Sequence, residues 1–203
     1  LMLCANNILK PQDGKPVISP SQDMVIGCYY LSCIRPGAKG EGRCFANEDE
    51  AMMAYLCGQI DLQSRINVRS ARKWEGEVTS EYLAENNITG GNRDNIYYKR
   101  IDTCLGRLIL NSNVPQDMGF KPRNTLNDMF ELEIDMKVGK KQLGQIVDMC
   151  FRKHGVSETA RVLDNVKAMG YKYSTIGAVT VAVADVIVPP EKKPILEASE
   201  KKV

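Results

Sequence analysis

Two consecutive amphipathic stretches constrain the possible folds of this chain most strongly. In both stretches apolar side chains recur at the three- and four-residue spacing of one helix face. They are Leu143, Ile146, Val147, Cys150 and Phe151 in the first stretch, and Val162, Leu163, Val166 and Met169 in the second. Gly155 separates the stretches and Gly170 follows the second, so we predict an αα-hairpin whose helices end at these glycines. Each helix has to bury its apolar face against another element.

A further helix is predicted near the N-terminus, after a loop-rich stretch at 6–18. Ser19 is a favourable N-cap, Pro20 suits the first helical position, and Gln22 stands where a capping box requires it. The helix is expected to run to about Leu31. Gly27 lowers helix propensity by about 1 kcal/mol relative to alanine, and we expect it to permit close packing against a neighbouring element.

Turn and cap signals organise the middle and the end of the chain. The glycine-rich stretch 36–42 predicts a turn. Residues 47–58 predict a short helix that Asn47 caps and Gly58 stops. A charged helix is expected to begin near Glu191, after two prolines.

Strand-like patterns predict a small β portion. Residues 62–75 alternate, residues 97–110 end in the apolar triplet Leu108-Ile109-Leu110, and residues 178–188 are rich in valine. The asparagine- and glycine-rich stretch 85–95 predicts an exposed hairpin tip or loop. The order of elements predicts an α+β fold that is mainly helical, with a small mixed β portion.

The charge balance and the cysteines exclude several classes of function. The chain has 203 residues, with 27 Lys and Arg, 25 Asp and Glu, and a net charge of +2. A free-standing nucleic-acid-binding protein usually has a clear basic excess, so other segments or chains would supply most such contacts. Seven cysteines without C-x-x-C spacing and a single histidine give no tetrahedral zinc site. We therefore expect reduced, partly buried thiols in a reducing compartment.

The chain also has no feature of a membrane or secreted protein. No stretch approaches the roughly 20 apolar residues that a bilayer span requires, and no signal peptide is visible. We therefore expect a cytoplasmic protein. The chain starts in an apolar run at Leu1 and stops in a helix-forming run at Val203, so we interpret it as a fragment of a larger protein.

No self-contained catalytic centre is predicted. The stretch Gly37–Gly42 lacks the Gly-Lys-Ser/Thr of a phosphate-binding loop and is interpreted as a structural turn. His154 follows two basic residues at a helix end, where we expect it to cap carbonyl groups or face water. The aspartates are scattered and form no D-x-D-x-D cluster of the kind that holds magnesium.

A series of short motifs follows in a fixed order along nearly the whole chain. They include Asn6-Asn7-Ile8-Leu9, Gly14-Lys15-Pro16-Val17, Pro20-Ser21-Gln22-Asp23, Ala38-Lys39-Gly40-Glu41-Gly42, Gly170-Tyr171-Lys172-Tyr173 and Val188-Pro189-Pro190-Glu191-Lys192-Lys193. This series resembles the third conserved domain of the largest (β′) subunit of bacterial RNA polymerases. The matching stretch lies just after the metal-binding Asn-Ala-Asp-Phe-Asp-Gly-Asp loop of that family.

The resemblance implies three segments. Residues 1–35 would be a pore segment that follows the metal loop, and 36–138 a mixed α/β portion with a variable insertion near 70–100. Residues 139–203 would hold the helical hairpin, the strand and the start of a rim helix.

The resemblance also implies a non-catalytic structural part of a DNA-directed RNA polymerase. The chain would form the pore and secondary channel (funnel) through which nucleoside triphosphates enter, and would be inactive alone. The candidate channel residues are Asn6, Asn7, Ser21, Gln22 and Asp23. Helix capping alone is the other interpretation of Gln22 and Asp23.

The same resemblance implies cofactors, partners and location. The Mg2+ of the parent enzyme would be chelated upstream of Leu1, with no cofactor in this chain. Partners would be the β, ω and α subunits, nucleoside triphosphates and the RNA 3′ end in the channel, and transcript-cleavage factors. DNA would be reached only through the full enzyme, which would be cytoplasmic and nucleoid-associated, without a membrane.

Several residues depart from the family pattern. Ala184 precedes Asp185 where many relatives have two aspartates, and Ile176 replaces a basic residue. Proteobacterial relatives bind the alarmone guanosine tetraphosphate through a lysine, an aspartate and a tyrosine, which align to Ser157, Asp164 and Ala168. Because only the aspartate remains, we predict that this chain does not bind the alarmone at that pocket.

Two other hypotheses remain open from the sequence. A stand-alone helical adaptor that binds a protein partner would need no active site and suits the near-neutral charge. A small hydrolase would need a cysteine paired with His154.

Overall fold

The computed structural model describes residues 7–91 and 95–201, where helices surround a small mixed sheet. The helices are α1 (Asp23–Ser32), α2 (Glu48–Leu56), α3 (Ser80–Glu85), α4 (Leu105–Ser112), α5 (Lys140–Gly177) and α6 (Lys192–Glu200). The strands are β1 (Cys44–Phe45), β2 (Arg65–Lys73), β3 (Thr89–Gly90) and β4 (Ile96–Cys104). This arrangement confirms the predicted α+β class, mainly helical with a small mixed β portion.

The sheet has one covered face and one open face. Its strand order is β1-β2-β4-β3, with β1 parallel to β2 and the other neighbours antiparallel. Strands β2 and β4 pair over their full length, from Arg65 opposite Cys104 to Lys73 opposite Ile96. Successive side chains of a strand point to opposite faces, and Ile66, in the predicted strand at 62–75, is buried on the core side. That strand prediction is confirmed.

Helix α4 contains the apolar triplet Leu108-Ile109-Leu110, so the predicted strand assignment of this triplet is wrong. Strand β4 ends at Cys104, and the helix follows at once with Leu105. A short apolar run fits a buried helix as well as a strand. Gly106, at the start of this helix, allows α4 to approach α1 closely. A Cβ at this position would lie 2.2 Å from the carbonyl oxygen of Leu31 in α1. The backbone of α4 therefore packs directly on α1.

Helix α1 begins at Asp23, so the predicted N-cap at Ser19 is wrong. The preceding residue, Gln22, has φ 49° and makes no capping hydrogen bond with its side chain. The carbonyl groups of Ser21 and Gln22 accept hydrogen bonds from amides of the first turn at 3.0–3.2 Å. A main-chain turn thus does the work of a side-chain cap, and a capping pattern in the sequence does not reveal it.

Helix α5 is interrupted at Gly155, which has φ 76° and ψ −167°, so the predicted pair of successive helices is confirmed. The predicted end at Gly170 is wrong, because the second arm continues to Gly177. Gly170 lies where α5 crosses α1, since a Cβ on Gly27 would lie 1.9 Å from the Gly170 carbonyl oxygen. A glycine in a helix signals either a stop or a close approach. The close packing expected at Gly27 is confirmed.

Both arms of α5 contribute to the main core. Their buried faces join residues of α1, α4 and β2 in one apolar cluster. The α5 members are Leu143, Ile146, Cys150, Val162, Val166, Met169 and Tyr173. Most of the predicted apolar faces are therefore buried as expected, whereas Phe151 and Leu163 are half-buried, and α1 packs against α5.

The segment 178–188 forms no strand in the structure, so that prediction is wrong. It is irregular, with one 3₁₀ turn at Val183–Asp185. Its apolar side chains are exposed: Val181 by 77%, Val183 by 92% and Ile187 by 83%. Valine-rich sequence forms a strand only where its N–H and C=O groups find a partner, and no strand of the described residues pairs with it. The helix expected near Glu191 is confirmed as α6.

Helix α2 follows its predicted signals. The Asn47 side chain caps it by accepting a hydrogen bond from the Glu50 amide at 2.7 Å. Gly58 follows the helix with φ 65°. The turn predicted at 36–42 is also confirmed.

The stretch 85–95 is only in part the exposed hairpin tip or loop that its composition predicts. Strand β3 pairs there with β4, but Glu85 ends α3 and Ile88 is buried. Residues 92–94 lie outside the described residues. Across the part of the chain that the structure describes, no helix combines the length and apolar character needed to cross a membrane.

Candidate functional site

The structure gathers most of the candidate channel residues into one surface turn. Ser21, Gln22 and Asp23 are consecutive at the start of α1, with Gln22 and Asp23 exposed and Ser21 half-buried. Asn7 is exposed in the loop before this turn. Asn6 lies outside the described residues.

The backbone of this turn is in an uncommon conformation. Gln22 has φ 49° and ψ −124°, whereas residues other than glycine rarely adopt positive φ. Such a position costs on the order of 1–3 kcal/mol and persists where the surrounding structure holds it. The Gln22 side chain is exposed and makes no capping hydrogen bond, so the capping interpretation of Gln22 is wrong. Asp23 stays in the first turn, where a carboxylate complements the positive end of the helix.

The middle of α1 is fixed by its crossing with α5. A Cβ on Gly170 would lie 2.7 Å from both the Cα and the carbonyl oxygen of Met24. The two helix backbones are therefore in direct contact, and Gly27 faces Gly170 across the same crossing. Interiors this closely packed resist small displacements. The exposed turn at Gln22 is thus the end of a helix with little freedom to shift.

The C-terminal end of α1 is held by hydrogen bonds from other elements. The Ser32 carbonyl accepts a bond from Arg107 Nε at 3.0 Å, and the Ser32 hydroxyl oxygen accepts one from the Val138 amide at 2.8 Å. The Tyr30 carbonyl accepts a bond from Gln63 Nε2 at 2.9 Å. The Arg107 and Gln63 side chains satisfy carbonyl groups of the last turn, which every helix leaves without an intrahelical partner. Sequence patterns had not singled out Ser32 or Gln63.

A buried ionic network orders the connection between α4 and α5. The sequence patterns did not predict this network. Glu133 is fully buried, and its Oε1 accepts hydrogen bonds from the amides of Gly119 and Phe120 at 2.6 Å each. Its Oε2 accepts a bond from Arg123 Nη2 at 2.8 Å. One sequence signal points to this network: Glu133 stands between two apolar neighbours, which suggests a buried position. Because a carboxylate is seldom buried unless it is paired, such a position predicts a partner for Glu133.

The buried thiols are held in their protonated form. Burial raises the pKa of Cys28 to about 12. Burial also raises the pKa of the Cys104 and Cys150 thiols above the ordinary value. Because the thiolate is the nucleophilic form, these cysteines are inert structural groups.

His154 joins the first arm of α5 to the loop that follows α4. Its Nε2 lies 2.8 Å from Asp117 Oδ1, and Lys153 also pairs with Asp117. The expectation that His154 caps carbonyl groups or faces water is wrong. Partial burial acts to raise the pKa of Asp117, but His154 and Lys153 together hold it below the ordinary value. Neither contact involves a thiol, so the geometry gives no support to a cysteine–histidine hydrolase.

The three positions aligned to the alarmone site lie on the second arm of α5. Ser157, Asp164 and Ala168 are all exposed. Asp164 Oδ1 pairs with Lys167 Nζ at 3.2 Å, an exposed pair. The absence of alarmone binding at this surface stays a prediction.

Comparison with known proteins identifies close relatives of the whole chain. The family model described as RNA polymerase Rpb1, domain 3, matches residues 7–186. Over 203 residues the chain is 46% identical to the DNA-directed RNA polymerase subunit beta′ of Acetivibrio thermocellus and to that of Clostridium acetobutylicum. It is 47% identical over the same length to the corresponding subunit of Clostridium botulinum. The chain spans about 16% of the length of these relatives.

Proposed function

Because this chain belongs to the RNA polymerase Rpb1 domain 3 family, we propose that it is a non-catalytic structural part of the β′ subunit of a DNA-directed RNA polymerase. In this proposal it forms part of the pore, the secondary channel through which nucleoside triphosphates reach the active centre. The observation that carries the proposal is the Ser21-Gln22-Asp23 turn, in which Gln22 and Asp23 are exposed. This turn is presented by a helix anchored at its middle and its end.

The chemistry of the turn suits contact with a passing nucleotide. The Gln22 amide offers both donors and an acceptor, which can bind base edges, ribose hydroxyls or phosphate oxygens. A strained turn on a fixed helix presents these groups in one geometry, and small displacements of positioning groups can slow a reaction roughly a hundredfold. The role of this chain is therefore to position and admit substrate.

In this proposal the described residues of the chain do not hold the magnesium of such an enzyme. Across residues 7–91 and 95–201, no three His, Cys, Asp or Glu side chains converge in a metal-binding group. Magnesium sites in polymerases depend on carboxylates and substrate phosphates. In the proposal, residues outside this chain hold the magnesium, which stabilises the charge of the reacting phosphates. No residue described here is assigned a catalytic role.

Partners follow from the same proposal. The neighbours are the β, ω and α subunits, and the channel contents are nucleoside triphosphates, the RNA 3′ end and transcript-cleavage factors. DNA is reached only through the full enzyme, in the nucleoid of the cytoplasm. The exposed apolar side chains of Val181, Val183 and Ile187 support burial against neighbouring parts of such an assembly, because large exposed apolar patches usually mark contact surfaces.

The substitution Gln22→Ala in the intact polymerase tests the role of the turn. We expect the Michaelis constant for nucleoside triphosphates to rise roughly threefold to tenfold, because one hydrogen bond is worth about 0.5–1.5 kcal/mol. The Gln22 side chain makes no capping bond, so the helix itself is expected to stay intact. Single-nucleotide addition at varied substrate concentration measures this effect.

Gln12→Ala is the matched control, because Gln12 is also an exposed glutamine but lies in the preceding loop. It is expected to leave the Michaelis constant unchanged. If Gln22→Ala behaves like Gln12→Ala, the turn does not contact incoming nucleotides.

A further inference from the structure

The open face of the sheet carries more cationic than acidic side chains, although the chain as a whole is nearly neutral. Strand β2 presents Arg65, Arg69 and Lys73 on this face, and β4 adds Arg100; all four are exposed. Asp102 of β4 also lies on it and accepts hydrogen bonds from Arg65 Nε at 2.8 and 3.0 Å. The positive charge is therefore local to one surface and is hidden in the net charge of +2.

Two cations of this face stand directly opposite each other. The register of the antiparallel pair places Arg69 beside Arg100. Like charges directly opposite destabilise a strand pair. Arg65 and Lys73 each have a carboxylate partner, whereas among the described residues neither Arg69 nor Arg100 forms an ion pair within 4.0 Å. An anion bound across the two guanidinium groups would relieve their repulsion.

A hollow beside this pair has the matching chemistry. Its volume is ≈ 520 Å³, and its lining is cationic or neutral, without a carboxylate. The lining residues are Arg69, Asn87, Thr89, Tyr98, Lys99 and Arg100. The guanidinium of Arg69 stacks on the Tyr98 ring at 4.0 Å from its centroid, a contact that orders the long side chain before any ligand binds.

We infer that the open face of the sheet binds the phosphate backbone of a nucleic acid strand, with Arg69 and Arg100 as the central contacts. A guanidinium favours phosphate because its planar fork donates two parallel hydrogen bonds to one group. Lys73 lies about 13 Å along β2 from Arg69, and its exposed ion pair with Glu75 is weak enough to yield to a phosphate. Each strand of a duplex contributes one phosphate about every 3.4 Å along the helix axis, so the span from Arg69 to Lys73 covers several phosphates. The inference rests on the proposed function only in taking DNA and RNA to be present at the enzyme.

Site-specific crosslinking in the intact, transcribing polymerase tests the inference. A benzoylphenylalanine photo-crosslinker replaces Ala71, which is exposed on the open face opposite Tyr98 in the register. With labelled DNA and RNA present, we expect a nucleic acid adduct. In the double variant Arg69→Gln/Arg100→Gln its yield should fall about tenfold, since each lost phosphate contact weakens binding.

The matched control removes the same charge elsewhere. Arg152 and Arg161 are exposed on α5 and pair with nearby carboxylates. Arg152→Gln/Arg161→Gln should leave the adduct yield within about twofold of the parent, whereas simple loss of net charge would lower the yield equally in both double variants.

The variant Arg100→Glu separates loss of binding from misfolding. A glutamate opposite Arg69 forms an attractive cross-strand pair, so the unfolding temperature should stay the same or rise while the adduct is lost. An adduct retained in this variant overturns the inference.

Two further outcomes overturn it. One is an adduct with protein alone, which would identify an acidic polypeptide as the ligand, and the other is no adduct at all. Transcript elongation is measured in the same samples. Elongation that persists without a nucleic acid adduct defeats this inference and leaves the pore proposal standing.

Discussion

Replacing Gly27 with alanine should lower the free energy of unfolding of the chain by about 2–3 kcal/mol, the upper part of the usual range for overpacking. The added methyl would lie 1.9 Å from the carbonyl oxygen of Gly170. The obstacle is backbone, so no side chain can rotate away and the two helices have to separate. The better helix propensity of alanine, about 1 kcal/mol, offsets only part of this loss. Urea denaturation followed by circular dichroism measures the change.

Gly144→Ala is the control for helix propensity. Gly144 is also helical, and a Cβ there would meet nothing within 4 Å. This variant should be as stable as the parent or more stable by up to about 1 kcal/mol. Equal stabilities of the Gly27 and Gly144 variants would show that the crossing of α1 and α5 is looser than described.

In the assembled polymerase, Gly27→Ala should also slow nucleotide addition, because the crossing anchors the helix that carries the Gln22 turn.

The substitution Glu133→Ala should lower the free energy of unfolding by about 3–5 kcal/mol, the loss expected when one partner of a buried ion pair is removed. Glu133 is fully buried, and its carboxylate binds Arg123 and the amides of Gly119 and Phe120. Without it, a largely buried guanidinium and two main-chain donors lose their acceptor. The connection between α4 and α5 should then lose its order, which protection of the Gly119 and Phe120 amides from hydrogen exchange reports directly.

Glu131→Ala is the matched control for this network. Glu131 is two positions away and pairs with Lys121 at 3.1 Å, but both side chains are partly exposed. Exposed ion pairs contribute about 0–1 kcal/mol, so this variant should unfold nearly like the parent. A loss for Glu131→Ala as large as that for Glu133→Ala would contradict the assignment of the stabilisation to the buried carboxylate.

The local signals in the sequence predict those elements whose stability is local. Asn47 caps α2 as expected because the hydrogen bond joins residues three apart. Gly155 breaks α5 as expected because its positive φ needs no long-range partner.

The predictions that the structure contradicts failed because contacts between residues far apart in the sequence decide those elements. Gly170 has the composition of a helix stop, but the backbone of α1, far away in sequence, lies against it. The triplet Leu108-Ile109-Leu110 fits strand and helix equally until α1 is known to lie against Gly106. The segment 178–188 has the composition of a strand, and strand formation depends on a partner.

In the candidate site, too, the sequence indicates local features better than long-range contacts. The order of short motifs predicts Ser21, Gln22 and Asp23 as channel residues, which stays a prediction, whereas the capping pattern assigned Gln22 to a cap that the structure lacks. The close packing at Gly27 was predicted from the sequence, but the hydrogen bonds that hold the C-terminal end of α1 could not be read from it. Ser32 and Arg107 are far apart in the chain, and their hydrogen bond exists only after folding.

We propose that this chain forms a wall of the secondary channel. The most direct test uses a backtracked complex of the intact polymerase, with a thiouridine photo-crosslinker at the extruded RNA 3′ end. Peptide mapping should place adducts on this chain within 7–32, the loop before α1 and α1 itself. Adducts that map only to other parts of the enzyme would contradict the account.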